Sequence, residues 1–140
     1  MKNTIPPISV QLYSVREAST KDFDQVLDLI AKIGFKGVEP FNLFFKSPAD
    51  FKKQVNDLGM EVSSTHFPWA NRSRDIGKVA DIVNTLGLSR VPGGFGPDDF
   101  KDMDTLKRTI DSTQHLVDAL KPYDMTLFLH NHYWEFQPID

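Results

Sequence analysis

The chain has 140 residues, enough for one domain with a real core, and its 40% hydrophobic and 25% charged content is ordinary for a globular protein. Its 16 basic and 19 acidic side chains leave a net charge of −3, which weighs against duplex nucleic acid as a partner without excluding a local basic patch. Cysteine is absent, which excludes a disulfide framework and a thiolate metal site; any metal must be held by His, Asp, Glu or water.

The opening MKNTIPPISVQLYSV is too poor in apolar residues and too interrupted by Pro to read as a signal peptide. No run approaches the roughly 20 apolar residues that span a bilayer, so no membrane partner is expected and the cytoplasm is the default location. The first element is a strand over residues 8–13, followed by the polar stretch SVREASTKDF. Phe23, Val26, Leu27, Ile30 and Ile33 then keep helical spacing up to Gly34, and residues 37–41 read as a second strand. Ser47-Pro48 marks the next helix start, an N-cap followed by Pro at the first helical position. Gly59 ends that helix, and residues 61–66 form a third strand. Ile76, Val79, Val83 and Leu86 stripe a helix that ends at Gly87 before a strand over 89–92. Leu106, Ile110, Val117 and Leu120 stripe a longer helix, which breaks at Lys121-Pro122 before a strand over 125–130.

These segments repeat one phrase: IAKIGFKGVEPF at 30–41, VNDLGMEVSSTHF at 55–67, VNTLGLSRVPGGF at 83–95 and, more loosely, VDALKPYDMTLFLHNH at 117–132. Gly34, Gly59 and Gly87 stand where a residue just past a helix must turn left-handed, which Gly does without a Cβ clash. Strands alternating with helices in this way imply parallel pairing through right-handed crossovers. Two architectures fit the order, a doubly wound flavodoxin-like sheet and a β/α barrel. The first usually carries a cofactor-binding loop after its first strand, and SVREASTKDF has no Gly-rich cradle. The barrel reading therefore rests on what stands at the strand ends.

In a β/α barrel the C-terminal strand ends form the active-site face. Here they carry Gln11 and Tyr13, Glu39, His66, Gly93-Gly94, and His130-Asn131-His132 with Glu135 just beyond. Each has a plainer role open to it. Gln11 and Tyr13 also suit packing and hydrogen bonding. Glu39, held extended by Pro40, either pairs with a Lys or Arg or faces a pocket. His66 follows Ser63-Ser64-Thr65 and is either a satisfied core histidine or a pocket residue. His115, amid polar neighbours on a long helix, reads as solvent-facing.

HNHYWEF at 130–136 is the most specific cluster. Two imidazoles, an amide and a carboxylate so close together are costly to desolvate without partners. If the strand continues, alternation puts His130 and His132 on one side. Neutral imidazole suits divalent metals, and Phe128, Tyr133, Trp134 and Phe136 supply an apolar wall for a sugar. HNH nucleases share three letters with this cluster but need a ββα setting that is missing.

VQLYSVRE, LIAKIGFKGVEPF, LGMEVSSTHF and above all LHNHYWEF resemble the sugar-phosphate isomerase/epimerase family, the xylose isomerase-like TIM barrels. The resemblance runs along nearly the whole chain in the correct order. It implies an α/β fold of parallel (β/α) TIM-barrel type, with residues 1–140 as the N-terminal part, incomplete at about the first five strands and four helices. It implies a divalent metal (Mn, Co, Mg or Zn) in the complete family and metal-assisted proton transfer on a sugar or polyol-derived ketone through an enediolate. His130 matches the fifth-strand position where the family usually has a metal-binding Glu before Asn, so it is the expected metal ligand. Gln11, Tyr13, Glu39, His66, His132 and Glu135 are the expected substrate contacts, for a sugar or sugar phosphate.

A complete barrel takes about 250 residues, and the family's remaining ligands lie on later strands. The chain alone is therefore expected to be inactive and to derive from a longer parent. An open half-barrel would also expose strand edges through which it could associate with itself. The alternative readings are a non-catalytic sugar-binding or interaction half-barrel and, below it, an endonuclease IV-like DNA-repair protein.

Overall fold

Each crossover helix stops where the backbone turns left-handed. The computed structural model describes residues 6–73 and 75–139; Arg74, Asp140 and the first five residues, which open the segment read above as no signal peptide, lie outside it. After a one-turn helix α1 (Arg16–Ser19), α2 (Phe23–Ile33) starts at Asp22, whose side chain accepts from Gln25 N–H at 2.9 Å, and is closed by Gly34 at φ +106°. Helix α3 (Pro48–Asp57) is capped by Ser47 with Pro48 in its first turn, as expected, and Gly59 follows at φ +72°. Helix α4 (Ile76–Thr85) leads to Gly87 at φ +88°. Helix α5 (Met103–Leu120) opens on a capping box between Asp102 and Thr105 and runs into a 3₁₀ turn, Lys121–Tyr123. The fourth break does not lie at Lys121-Pro122 alone: Asp124, at φ +54°, takes the place that Gly holds in the other three. Asp is among the few side-chain-bearing residues that visit this region readily.

Two stripe residues are exposed, Ile33 at 66% and Ile110 at 58%. Ile33 ends α2, off the face on which Phe23, Leu27 and Ile30 are buried. Helix α5 buries Thr105 and Thr109 instead of Ile110, which lies about 100° further round. Those hydroxyls are buried because they are bonded: Thr109 Oγ1 donates to the Asp99 and Thr105 carbonyls, each at 3.0 Å.

The strands are β1 (Ser9–Gln11), β2 (Gly37–Glu39), β3 (Glu61–Val62), β4 (Arg90–Gly93) and β5 (Thr126–Leu129). Most are shorter than expected, each for a local reason. The chain coils into a 3₁₀ turn, Leu12–Val15, after β1, and β2 stops at Pro40, which has no N–H to give. Beyond β3 the pairing continues as single bonds, Ser63 N–H to the Val38 carbonyl at 3.0 Å and His66 N–H to the Pro40 carbonyl at 2.9 Å.

The chain forms two compact units. The first takes the segment up to Phe67 with Asn84–Leu88, and the second takes Pro68–Val83 with the segment from Ser89 on. The first holds a parallel sheet in the order β1-β2-β3, in the register Gln11 to Glu39 and Val38 to Val62. The second holds the parallel pair β4-β5, with Gly93 opposite Leu129. In a flavodoxin-like sheet β1 lies between β2 and β3; here β2 lies between β1 and β3. Sequential parallel neighbours joined by helices are the arrangement of a (β/α) barrel. Among the described residues no helix is long and apolar enough to cross a membrane.

Two outcomes test the helix ends. Gly34→Ala places its Cβ in open space, so any loss is backbone strain; urea unfolding should show roughly 1–2 kcal/mol, and no loss would refute a strained turn. The Asp102 carboxyl is held below its ordinary 3.8 by hydrogen bonds from the Thr105 N–H and hydroxyl. A folded pKa below the unfolded one stabilises fully above the unfolded value and is lost as pH falls through the folded one. The melting-temperature gap between wild type and Asp102→Ala should therefore narrow on acidification below the ordinary value. A gap independent of pH would count against the cap.

Candidate functional site

In the first unit the polar strand ends meet at Glu39. Gln11, its register partner on β1, donates Nε2–H to Glu39 Oε1 at 2.6 Å, and Ser64, just past β3, donates its hydroxyl to Oε2. The half-buried carboxylate thus has a neutral donor on each oxygen, one from each neighbouring strand segment, in place of the Lys or Arg considered from sequence. Both donors are neutral groups, an amide and a hydroxyl.

Tyr13 is carried off the strand by the 3₁₀ turn. Its ring is half exposed, edge-on to Phe41 at 5.3 Å, with the Arg16 guanidinium 4.4 Å from its centre. His66 is half-buried, its backbone tied to Pro40. Thr65 is fully buried and its hydroxyl bonds to Phe67 through both the N–H and the carbonyl, fixing the turn after His66. His115 is exposed, as expected, with Nδ1 at 2.8 Å from the Asp111 carbonyl.

In the second unit β5 ends at Leu129, so HNH does not continue the strand; a last ladder bond runs from His130 N–H to the Gly93 carbonyl at 2.8 Å. The two imidazoles meet all the same. His130 lies edge-on to His132 at 4.7 Å between ring centres, and His132 stacks on Trp134 at 4.0 Å and 19°. Trp134 is held in turn by Nε1–H donating to the Phe95 carbonyl at 3.2 Å. Glu135 Oε2 accepts the His132 backbone N–H at 2.8 Å, and its Oε1 is 3.8 Å from His132 Nδ1. Tyr133 and Phe136 are exposed beside this stack.

Gly93-Gly94 has a packing reason. Trp69 lies so close that a Cβ on Gly94 would sit 2.5 Å from indole Cζ3. Asn71 closes the same corner by donating Nδ2–H to the Gly94 carbonyl at 2.6 Å and accepting Gly94 N–H at 3.3 Å. The Trp69 ring is 5.8 Å from His130, with the Arg72 guanidinium 4.1 Å from its centre. Ser64, Trp69 and Asn71 were not singled out from sequence. The glycine pair was the available signal for Trp69, since it marks a close approach by something large.

Among the described residues no three His, Asp or Glu side chains are grouped as a metal ion requires. His130 and His132 are arranged by stacking, and Glu135 engages the His132 backbone. These residues do not by themselves fit a divalent ion.

No family profile matches the chain, and no curated protein does. Solved structures do. A sugar phosphate isomerase/epimerase from Parabacteroides distasonis superposes with a TM-score of 0.76 at 21% identity, over 99% of this chain and 56% of that one. The chain shares the fold of that enzyme. A second sugar phosphate isomerase/epimerase structure from the same organism gives 0.75 at 20% identity, over 95% and 57% of the two chains. A family 2 AP endonuclease from Brucella melitensis gives 0.60 at 16%, over 89% and 55%. The chain spans little more than half the length of each, the β1-to-β5 part of the parallel (β/α) barrel.

Gly94→Ala tests the corner around His130. The contact with Trp69 should cost about 1–3 kcal/mol and shift the tryptophan emission; unchanged stability and emission would remove Trp69 from that position.

Proposed function

We propose that the chain is the N-terminal part, as a single domain over 1–140, of a sugar isomerase/epimerase-type barrel that binds a sugar or sugar phosphate in the cytoplasm. Its proposed chemistry is proton transfer beside a carbonyl through an enediolate. The observation that carries this reading is the carboxylate of Glu39, held by Gln11 and Ser64 at the ends of successive parallel strands. Such a group accepts hydrogen bonds from vicinal hydroxyls, and ligand oxygens can take over the places of its two neutral donors. The His132–Trp134 stack with exposed Tyr133 suits the apolar face of a sugar in the second unit. Likeness in fold to two sugar phosphate isomerase/epimerase structures supports the same class. The AP endonuclease likeness is weaker in TM-score, and a net charge of −3 does not favour a duplex.

Calorimetric titration with a panel of ketoses and ketose phosphates tests binding. At least one should bind, and Glu39→Gln should weaken it about tenfold, the scale of a hydrogen bond to a charged group. No binding across the panel, or an unaffected Glu39→Gln variant, overturns the reading. Deuterium wash-in from D₂O at the carbon beside the carbonyl, measured on a version extended through the remaining barrel strands, separates enzyme from sugar-binding module: exchange marks catalysis, and binding without exchange marks the module.

A further inference from the structure

The first unit holds a concavity of about 660 Å³, lined by Ser19, Thr20, Phe23, Asn42, Leu43, Phe44 and Phe45. Its size is that of a small-molecule site, and no lining residue is ionisable. Lys46 Nζ, 5.7 Å from the centre of the Phe23 ring, is paired at 3.2 Å with Asp24, which also accepts from Gln54 at 2.7 Å.

Three independent features meet at this place. Ser19 is 3% exposed, and its hydroxyl is buried with no hydrogen-bond partner among the described residues, a costly state for a polar group. Phe23 and Phe44 stack at 4.1 Å and 12°, giving the wall a flat aromatic surface, while Phe45 is fully exposed. Phe44 and Phe45 both hold left-handed φ, +48° and +64°, a strained conformation for bulky residues. Asn42 Oδ1, accepting Phe44 N–H at 2.8 Å, keeps the turn in that shape.

We infer that this concavity is a binding site for an uncharged aromatic ring bearing a hydroxyl, with the ring against Phe44 and Phe45 and its hydroxyl on Ser19 Oγ. The strained turn is the wall that yields. Relaxing it opens the way to Ser19, and the bound hydroxyl supplies the partner that Ser19 lacks. With no ionisable lining residue and Lys46 paired to Asp24, the site favours an uncharged occupant. Glu39 is not among the lining residues, and the test involves no sugar.

The probe is p-cresol, followed by ligand-observed NMR titration of the 140-residue chain, with toluene and cyclohexanol as controls. p-Cresol should bind saturably and more tightly than either control. Ser19→Ala should weaken p-cresol about fivefold, the worth of one hydrogen bond, and leave toluene unchanged. Thr20 is exposed, so Thr20→Phe fills the concavity without disturbing the core; it should abolish binding while the circular dichroism spectrum is kept. Phe45→Ala, also at an exposed position, should weaken p-cresol and toluene alike. Absence of saturable p-cresol binding, cyclohexanol binding as tightly as p-cresol, or p-cresol binding indifferent to both Ser19→Ala and Thr20→Phe overturns the inference.

Discussion

Neighbouring parallel strands cannot be joined by a tight hairpin. The chain must return along a helix and reverse again before the next strand starts. In this molecule the reversal before each of β2 to β5 is made at one residue with positive φ: Gly34, Gly59, Gly87 and Asp124. The turn ends the helix by taking up its last free carbonyls and aims the chain into the sheet within a few residues. Because every reversal lies before a strand, the opposite strand ends lie together within each sheet. The polar residues stand there.

What those ends do follows from where each strand is stopped. Pro40 ends β2 one residue after Glu39, so the carboxylate stands at the last paired position. Gln11 is the last residue of β1, and Ser64 follows β3. In the second unit Gly94, the residue after β4, leaves free the space that Trp69 occupies, and β5 ends where the imidazoles leave the ladder. Each stop has a different chemical cause, yet each leaves polar side chains at a strand end with their hydrogen bonds made by near neighbours.

The elements that depend on local chemistry were legible in the sequence. The three helix-closing glycines, the Ser47-Pro48 start and the βα alternation each follow from one or two residues and their own backbone preferences. Part of what escaped depends on partners distant in sequence. The strands were drawn too long because extended sequence carries on past the last paired residue, as residues 63–66 do after β3. Asp124 was missed because glycine is the usual mark of a left-handed turn and none stands there. Ile110 was placed inside because a threonine face gave no apolar signal, although Thr105 and Thr109 bury hydroxyls that are already bonded. Among candidate site residues, Gln11 and Glu39 do meet, as do His130 and His132, whereas Tyr13 leaves the strand. Ser64 emerged only with the register, since nothing around it in the chain marks it as a partner of Glu39.

The bond between Gln11 and Glu39 has a consequence for how the sheet is chosen during folding. Short strands such as β1, β2 and β3 carry little information about alignment, because an apolar run pairs almost as well one step out of phase. A one-residue slip turns every side chain to the opposite face. It would bring the Glu39 carboxylate opposite a residue other than Gln11 and leave it short of a donor in a half-buried place. The misaligned pairing is thereby penalised at the strand ends, where the apolar contacts discriminate least. The hydrogen bond that joins the two strand ends in the finished protein thus also favours their native alignment.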